Sequence, residues 1–353
     1  MMRAKIIIFL MLPLLPMAGF FKLHGAVEDP PRPRFSLRAA ASGALQDAIE
    51  KDFAVHFGFY RLLVKVDNTL NYFLRETNLN ANHCVVIAKD DVLLAPDELL
   101  FRERQEFDLK TIDKKIDDLA AASRKLKSLG VDFKLVLVPS KVNYYPDKIP
   151  GRWTLHPEEP TPSRALWSHI IQKLKTTDLE WIDSGEVMGS VAKTTGALAY
   201  PHRGRHWNQL TSCEMLGHFA GFTCSAREAG PASDDEQDLF SCLNAFFPGL
   251  AREQLYRAAQ SFAPPAVKPQ RVLFIGSSFM RELETEARRL NLFRDLHLFY
   301  YNRTDYVGEE GHDLQIDERW KEFLRSRDLI VMDLFEPLTD SIGFGFPEQV
   351  ERL

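Results

Sequence analysis

The stretch Val272-Leu273-Phe274-Ile275-Gly276-Ser277-Ser278-Phe279-Met280 constrains this chain more than any other. A short unbroken apolar run is the pattern of a strand buried on both faces, as in parallel sheets covered by helices. Glycine ends the run, and a charged helical pattern follows over residues 281–291. Strand, tight glycine turn and helix together mount a serine hydroxyl at a sheet edge. The helix behind it points backbone N–H groups at any oxyanion that forms there. Gly276 is free to take angles other residues avoid, and a serine at a helix start is also a favoured cap. The junction alone therefore fits either a nucleophile or a simple cap.

A second segment, Tyr200-Pro201-His202-Arg203-Gly204-Arg205-His206-Trp207-Asn208, sets a histidine in a Gly- and Arg-rich loop. It stands immediately before another helical pattern over 209–219. Ser278 and His206, each at the mouth of a secondary element, are the minimum for acyl transfer through a covalent intermediate. His202, four residues earlier, reads as a surface residue.

Composition narrows the partners. The formal charge of -5 lacks the basic excess that phosphate recognition needs, so nucleic acid is excluded as a partner. Arg3 and Lys5 precede residues 6–21, which carry no charge. Sixteen residues span roughly 24 Å as a helix, short of the ~30 Å hydrocarbon core, and Pro13 and Pro16 interrupt it. Residues 1–26 read as an export signal or membrane anchor, with cleavage left open by His24 near the expected site. Four cysteines, Cys84, Cys213, Cys224 and Cys242, suit an oxidising compartment and show no CxxC or His cluster of a metal site. A pair among the last three is one reading, and buried thiols are the other. No metal or cofactor is expected.

Residues 27–35 are a proline-rich spacer. Helical periodicity runs over 36–76, and a strand–turn–strand unit over 84–94. A long amphipathic helix over 108–129 ends at Gly130, which suits the position after a helix end. Strand patterns at 133–138, 181–183, 271–275, 296–301 and 329–334, with a helix over 162–175, give the alternation of a parallel sheet with covering helices. Residues 225–268 read as an insertion between the two halves.

This combination resembles the alginate O-acetyltransferase family, whose AlgX/AlgJ-like catalytic domain is SGNH hydrolase-like. The likeness is carried by Val85-Val86-Ile87-Ala88-Lys89-Asp90, by Val136-Leu137-Val138-Pro139-Ser140-Lys141 and by Tyr145-Pro146-Asp147-Lys148-Ile149-Pro150. It continues through Gly204-Arg205-His206-Trp207-Asn208, Gly276-Ser277-Ser278-Phe279, the Arg303 region and Val331-Met332-Asp333-Leu334-Phe335-Glu336. The histidine block precedes the serine block, the rearranged order this family uses. The resemblance implies an α/β fold, three layers α/β/α around a mainly parallel sheet, over residues 36–345, with an N-terminal helical segment and the insertion.

It also implies an exported, periplasmic enzyme, soluble or tethered by its leader, that moves acetyl groups to hydroxyls of an alginate-like exopolysaccharide. A membrane-bound O-acyltransferase is the implied donor partner. Ser278 would be the nucleophile and His206 the base, with Gly276 and the Ser278 N–H forming the oxyanion turn. Arg205, Arg303, Trp207 and Asn208 are the candidate substrate contacts, and Arg203 is also suited to a carboxylate.

Two departures bear on activity. Gly204 stands where the family has the aspartate that orients the histidine, and Ser277 stands where it has an aspartate before the serine. Three readings follow. A backbone carbonyl orients His206; or another carboxylate among Asp183, Asp305, Asp333 and Glu336 does so; or the site is silent. The rival functions are accordingly a carbohydrate acetyl-esterase and an inactive polysaccharide-binding or assembly subunit.

Overall fold

The computed structural model describes residues 45–46, 60–74, 85–153, 160–196, 198–243, 253–260 and 271–353. The leader, the spacer and Cys84 lie outside them. Of the helical pattern over 36–76, the helix Tyr60–Leu74 is described, and it belongs to a unit separate from the one that carries the site. Within that smaller unit, Asn68 donates to the carbonyl of Leu243 at 2.6 Å. Among the described residues no helix is long and apolar enough to cross a membrane.

The larger unit opens with a two-residue hairpin, β1 (Val86–Ile87) and β2 (Leu93–Leu94). Its centre is a sheet of β3 (Asp132–Val138), β4 (Trp181–Asp183), β7 (Arg271–Gly276), β8 (Asp295–Tyr300), β9 (Thr304–Val307), β10 (Glu310–Asp313) and β11 (Leu329–Phe335). The spatial order is β10-β9-β8-β7-β11-β3-β4. Strands β8, β7, β11, β3 and β4 pair in parallel, and β9 and β10 add an antiparallel edge that the sequence patterns did not reveal.

Alternation along each strand builds the two covered faces. Val272, Phe274, Val331, Val136 and Leu298 point to one side, where helices Ser184–Thr195, Gln209–Ala220 and Ser278–Arg289 pack. Leu273, Ile275, Ile330, Met332, Leu135 and Leu137 point to the other, under Leu109–Ser128, Pro162–Leu174 and Glu318–Arg325. These runs read as apolar throughout because both faces of every central strand are buried.

The chain moves from β3 outward to β4, then crosses to β7 and outward to β8 in the opposite direction. The last strand, β11, fills the centre between β3 and β7. Where strand order reverses in an open α/β sheet, the carboxyl ends of the strands leave a crevice for ligands. Gly276, Phe335 and Val138 end three neighbouring strands at that edge.

Residues 225–268 contribute an antiparallel ribbon, β5 (Cys224–Pro231) with β6 (Gln254–Gln260). Ala258 is buried in the core on the Gln209–Ala220 side. A disulfide joins Cys213 of that helix to Cys224 at the ribbon's start, and Cys242 is also disulfide-bonded. Cross-linking restricts the unfolded chain, so replacing both Cys213 and Cys224 by alanine should lower stability by about 2–3 kcal/mol. Urea unfolding of the double variant against the parent measures this, and an unchanged midpoint would place the bond outside the cooperative core.

Candidate active site

Strand β7 carries the chain to Gly276, whose φ of +151° lies outside the range that side chains tolerate. A Cβ there would stand 2.1 Å from Asp333 Oδ1 and 2.9 Å from Met280 Cγ, so only glycine fits. Ser277 caps the helix Ser278–Arg289, its hydroxyl accepting from the Phe279 N–H at 3.3 Å. The same hydroxyl donates to Asp333 Oδ2 at 2.5 Å, and the Ser277 N–H reaches both carboxylate oxygens at 3.0 and 3.1 Å. Ser278 follows as the first helical residue and is half-buried, with its Oγ facing the crevice side.

His206 meets it. Nε2 of the imidazole lies 2.7 Å from Ser278 Oγ, and the ring packs edge-on against Phe279 with centroids 4.9 Å apart. The other nitrogen, Nδ1, is buried and pairs with Asp238 Oδ2 at 3.3 Å, an ion-pair separation rather than a tight linear hydrogen bond. Asp238 is fixed through its second oxygen, which accepts from the backbone N–H of Arg205 at 2.7 Å and of Leu239 at 2.9 Å. The carboxylate is thus tied to the residue just before the histidine it serves.

Electrostatics follow from this arrangement. Burial opposes charge on His206, but the adjacent carboxylate of Asp238 outweighs it and raises the imidazole above its ordinary value. Burial likewise pushes Asp238 up, yet His206 and the two backbone N–H groups carry it below the usual carboxylate range. Asp333 is different: full burial drives it up to about 7, only partly opposed by Ser277. Burial also lifts Glu282, one helical turn beyond Ser278, to about 7.

The orienting carboxylate is therefore none of the four named from sequence. Asp183 caps the helix Ser184–Thr195, Asp305 pairs with His297, Asp333 holds Ser277, and Glu336 accepts from Ser140 and Asn143. Asp238 comes from the segment read as an insertion, in the acidic run Ser-Asp-Asp-Glu-Gln-Asp. Its approach explains the glycine. A Cβ on Gly204 would lie 2.2 Å from the carbonyl oxygen of Glu236, so the segment that delivers Asp238 occupies the space of an aspartate at 204.

Lys141 is the other residue whose part the sequence did not disclose. Its Nζ is buried and donates towards the carbonyls of Leu93, Pro201, His202 and Gly204 at 2.9, 2.6, 2.9 and 2.7 Å. Burial draws the group down to about 7 against the pull of Glu98, but four carbonyl oxygens at these distances are met by an ammonium and not by an amine. Glu253 receives the N–H groups of His202 and Arg203, which closes the other side of the loop.

The four expected substrate contacts, and Arg203, have other partners or another place in the structure. Trp207 is 1% exposed and packed edge-on against Phe279 in the core. Asn208 is buried and caps the helix Gln209–Ala220, its amide spent on Leu198 and its oxygen on the Thr211 N–H. Arg205 is held by Asp97 at 2.5 Å and Glu98 at 2.9 Å. Arg303 is not brought to Ser278; it lines a separate cavity with Lys115 and Tyr301. Arg203 pairs with Asp91 at 3.0 Å and lies over the Phe240 ring. The cleft at Ser278, about 520 Å³, is instead lined by His206, Asp238, Arg281, Glu282 and neighbouring charged residues.

Residues 85–213 match the family described as SGNH hydrolase-like domain, acetyltransferase AlgX. That stretch is similar to the AlgX acetyltransferase family's domain. The matched stretch includes Lys141 and His206 and stops short of Asp238 and Ser278, so those two enter on geometry alone. No curated protein matches the chain. Similar solved structures include the O-acetyltransferase domain of Pseudomonas putida AlgJ, 16% identical, covering 76% of this chain and 98% of that one at a TM-score of 0.45. Bacillus cereus PatB1 is 13% identical, covering 71% and 95% at 0.41. Pseudomonas aeruginosa AlgX is 11% identical, covering 75% and 67% at 0.44.

Two outcomes follow from the Asp238–His206 pair and the Lys141 anchor. With His206 as base, kcat/KM should rise with pH along a limb lying above the ordinary histidine range. Asp238→Asn removes the charge that favours imidazolium, so the limb moves to lower pH and the plateau falls by about 10³–10⁴-fold; a pH–rate profile on an acetyl ester reads both. Lys141→Met removes the donor from the carbonyls of Leu93, Pro201 and Gly204, while that of His202 keeps the Leu93 N–H, and should cost about 3 kcal/mol in thermal or urea unfolding.

Proposed function

We propose that the protein is an exported polysaccharide O-acetyltransferase that works through an acetyl-Ser278 intermediate. The reading is carried by one observation, the contact of 2.7 Å between His206 Nε2 and Ser278 Oγ, backed on Nδ1 by Asp238. On this reading Ser278 is the nucleophile, His206 the base and Asp238 the orienting carboxylate, in one cleft at the carboxyl edge of the sheet.

In the first half-reaction Ser278 Oγ attacks the acetyl carbonyl of the donor, and its proton passes to His206 Nε2. The oxyanion develops against the N-terminus of the helix Ser278–Arg289, where the Ser278 N–H stands free of the helical ladder. Collapse breaks the bond to the leaving group, which takes the proton from His206. In the second half a sugar hydroxyl attacks the acetyl-serine carbonyl, gives its proton to His206, and the proton returns to Ser278 Oγ as the serine leaves. Atoms and charge balance without a metal or an external cofactor.

The family match supports transfer over hydrolysis as the overall outcome, and alginate-type O-acetylation is the activity it supports at the level of the family. An acetyl donor delivered across the membrane by a membrane-bound O-acyltransferase, and a periplasmic location reached through the leader, belong to the same reading. Asp238 weighs against the silent-subunit alternative, because one of its oxygens is enough to hold the loop N–H groups while the other faces His206 Nδ1.

Ser278 should be labelled by an aromatic sulfonyl fluoride, and Ser278→Ala and His206→Ala should each abolish labelling and acetyl transfer. Incubation with an aryl acetate and oligosaccharide acceptors, followed by mass spectrometry, should show a mass increase of one acetyl group on the sugar. Free acetate as the sole product would make the protein an esterase.

A further inference from the structure

The cavity that holds Arg303 has the makings of a binding site of its own. It measures about 460 Å³ and is walled by Tyr301 and Arg303 after β8, by Leu338 and Phe344 after β11, and by Lys115 of the helix Leu109–Ser128. It shares the carboxyl edge of the sheet with the nucleophile. The Tyr301 N–H donates to the carbonyl of Gly276 at 2.8 Å, two residues before Ser278.

The backbone here is strained. Residues with side chains seldom take the left-handed conformation, and bulky ones least of all. Yet Tyr301, Asn302 and Phe344 have φ of +51°, +52° and +49°. Two of these three are the aromatic residues of the cavity wall, and their rings meet edge to face with centroids 5.6 Å apart. The buried amide of Asn302 ties the two turns together, donating to the Phe344 carbonyl at 3.2 Å and to Gln349 Oε1 at 3.0 Å. Strain of this kind persists where the surroundings enforce it, and it gathers at ligand clamps. Core packing does not account for it, because both rings stay partly exposed.

The polar groups give the sign of the ligand. The Arg303 guanidinium is exposed and makes no hydrogen bond or ion pair among the described residues. Lys115 donates to the Asp340 carbonyl at 2.5 Å, which leaves its ammonium two further protons. Glu348 is the one acid on the wall. Two cations against one acid, with a forked donor among them, suit a carboxylate. The two rings beside them offer the apolar surface that most ligand pockets provide.

We propose that this cavity is a second subsite for the acceptor, holding one uronate ring of an anionic polysaccharide while another ring of the same chain stands at Ser278. Tyr301 and Phe344 pack against the ring, and Arg303 and Lys115 receive its carboxylate. The link to acetylation rests on the acetyl-Ser278 reading, whereas glycan binding in the cavity can be measured apart from it.

The full chain can be titrated by calorimetry with mannuronate oligomers and with neutral mannose oligomers of equal length. The mannuronate series should bind at least about fivefold tighter at low salt, a preference that shrinks as salt is raised. Arg303→Gln should weaken mannuronate binding about tenfold, the loss expected for one charge-assisted contact. Phe344→Asn removes a ring but puts in a residue that accepts the left-handed backbone, and it should weaken binding of both series by about threefold or more. With an aryl acetate as donor, KM should fall as mannuronate oligomers become long enough to reach both places, and Arg303→Gln should abolish that dependence on length.

Equal binding of the two series overturns the proposal, as does mannuronate binding that survives Arg303→Gln or Phe344→Asn undiminished. Failure of the underlying reading looks different. Arg303-dependent binding of mannuronate without acetyl transfer to any oligomer overturns the transferase reading and leaves the cavity a glycan site. Acetylation of mannuronate with a KM independent of length and of Arg303 keeps that reading and overturns the subsite.

Discussion

A single buried ammonium sets the geometry on which the site depends. Lys141 follows the end of β3, and its Nζ draws four carbonyls from β2 and the loop 201–204 to one point. Such a loop would otherwise be soft, because Gly204 and the turns around it supply no side-chain packing of their own. With its carbonyls gathered inward, its N–H groups face outward, where Glu253 and Asp238 take those of His202, Arg203 and Arg205. The histidine is thus positioned by backbone held from both sides. The aromatic group Trp207, Phe279 and Phe335 beneath it fixes the plane of the imidazole.

The two departures from the family pattern have the same physical form. In each, a carboxylate absent from the motif is supplied by a different part of the chain. Ser277 replaces an aspartate and receives Asp333 from the adjacent strand; Gly204 replaces another and makes room for the segment carrying Asp238. The two carboxylates differ in character because their surroundings do. Asp333 meets only a hydroxyl and a peptide N–H in a fully buried setting, so its charge is disfavoured and it is suited to shaping the turn. Asp238 meets an imidazole and two N–H groups near solvent, so its charge is favoured and it is suited to holding His206. Location in the sheet separates a structural acid from one that acts on the base.

What was legible in the sequence divides along the range of the interactions. Runs such as 272–275 and 329–334 identify central strands because double burial imposes an apolar side chain at every position. The helix over 109–128 declares itself through its period and its closing glycine, and Ser278 and His206 through their places at element boundaries. Asp238 carries no such local mark. It sits in an acidic, turn-rich stretch whose composition is that of a solvated loop, and only the ribbon of β5 and β6 brings it back to the sheet edge. The substrate arginines misled for the opposite reason. Arg203 and Arg205 had the right chemistry in the right loop, but Asp91, Asp97 and Glu98, about a hundred residues earlier, had first call on them. Trp207 was similarly claimed by the core, where a large ring with no apolar neighbour in solvent is most stable.

Those captured arginines also explain how the cleft came to have its present polarity. An arginine bound to a carboxylate contributes little field beyond the pair, so the loop of three basic residues presents almost no positive charge to Ser278. The helix Ser278–Arg289 brings both signs to the cleft: Arg288 pairs with Glu284, Arg281 lies over the Tyr306 ring, and Glu282 stands one turn beyond Ser278. His206 is the beneficiary. With Asp238 on one side and Glu282 nearby, an imidazolium formed there, as the acetyl-Ser278 reading requires, is favoured from two directions.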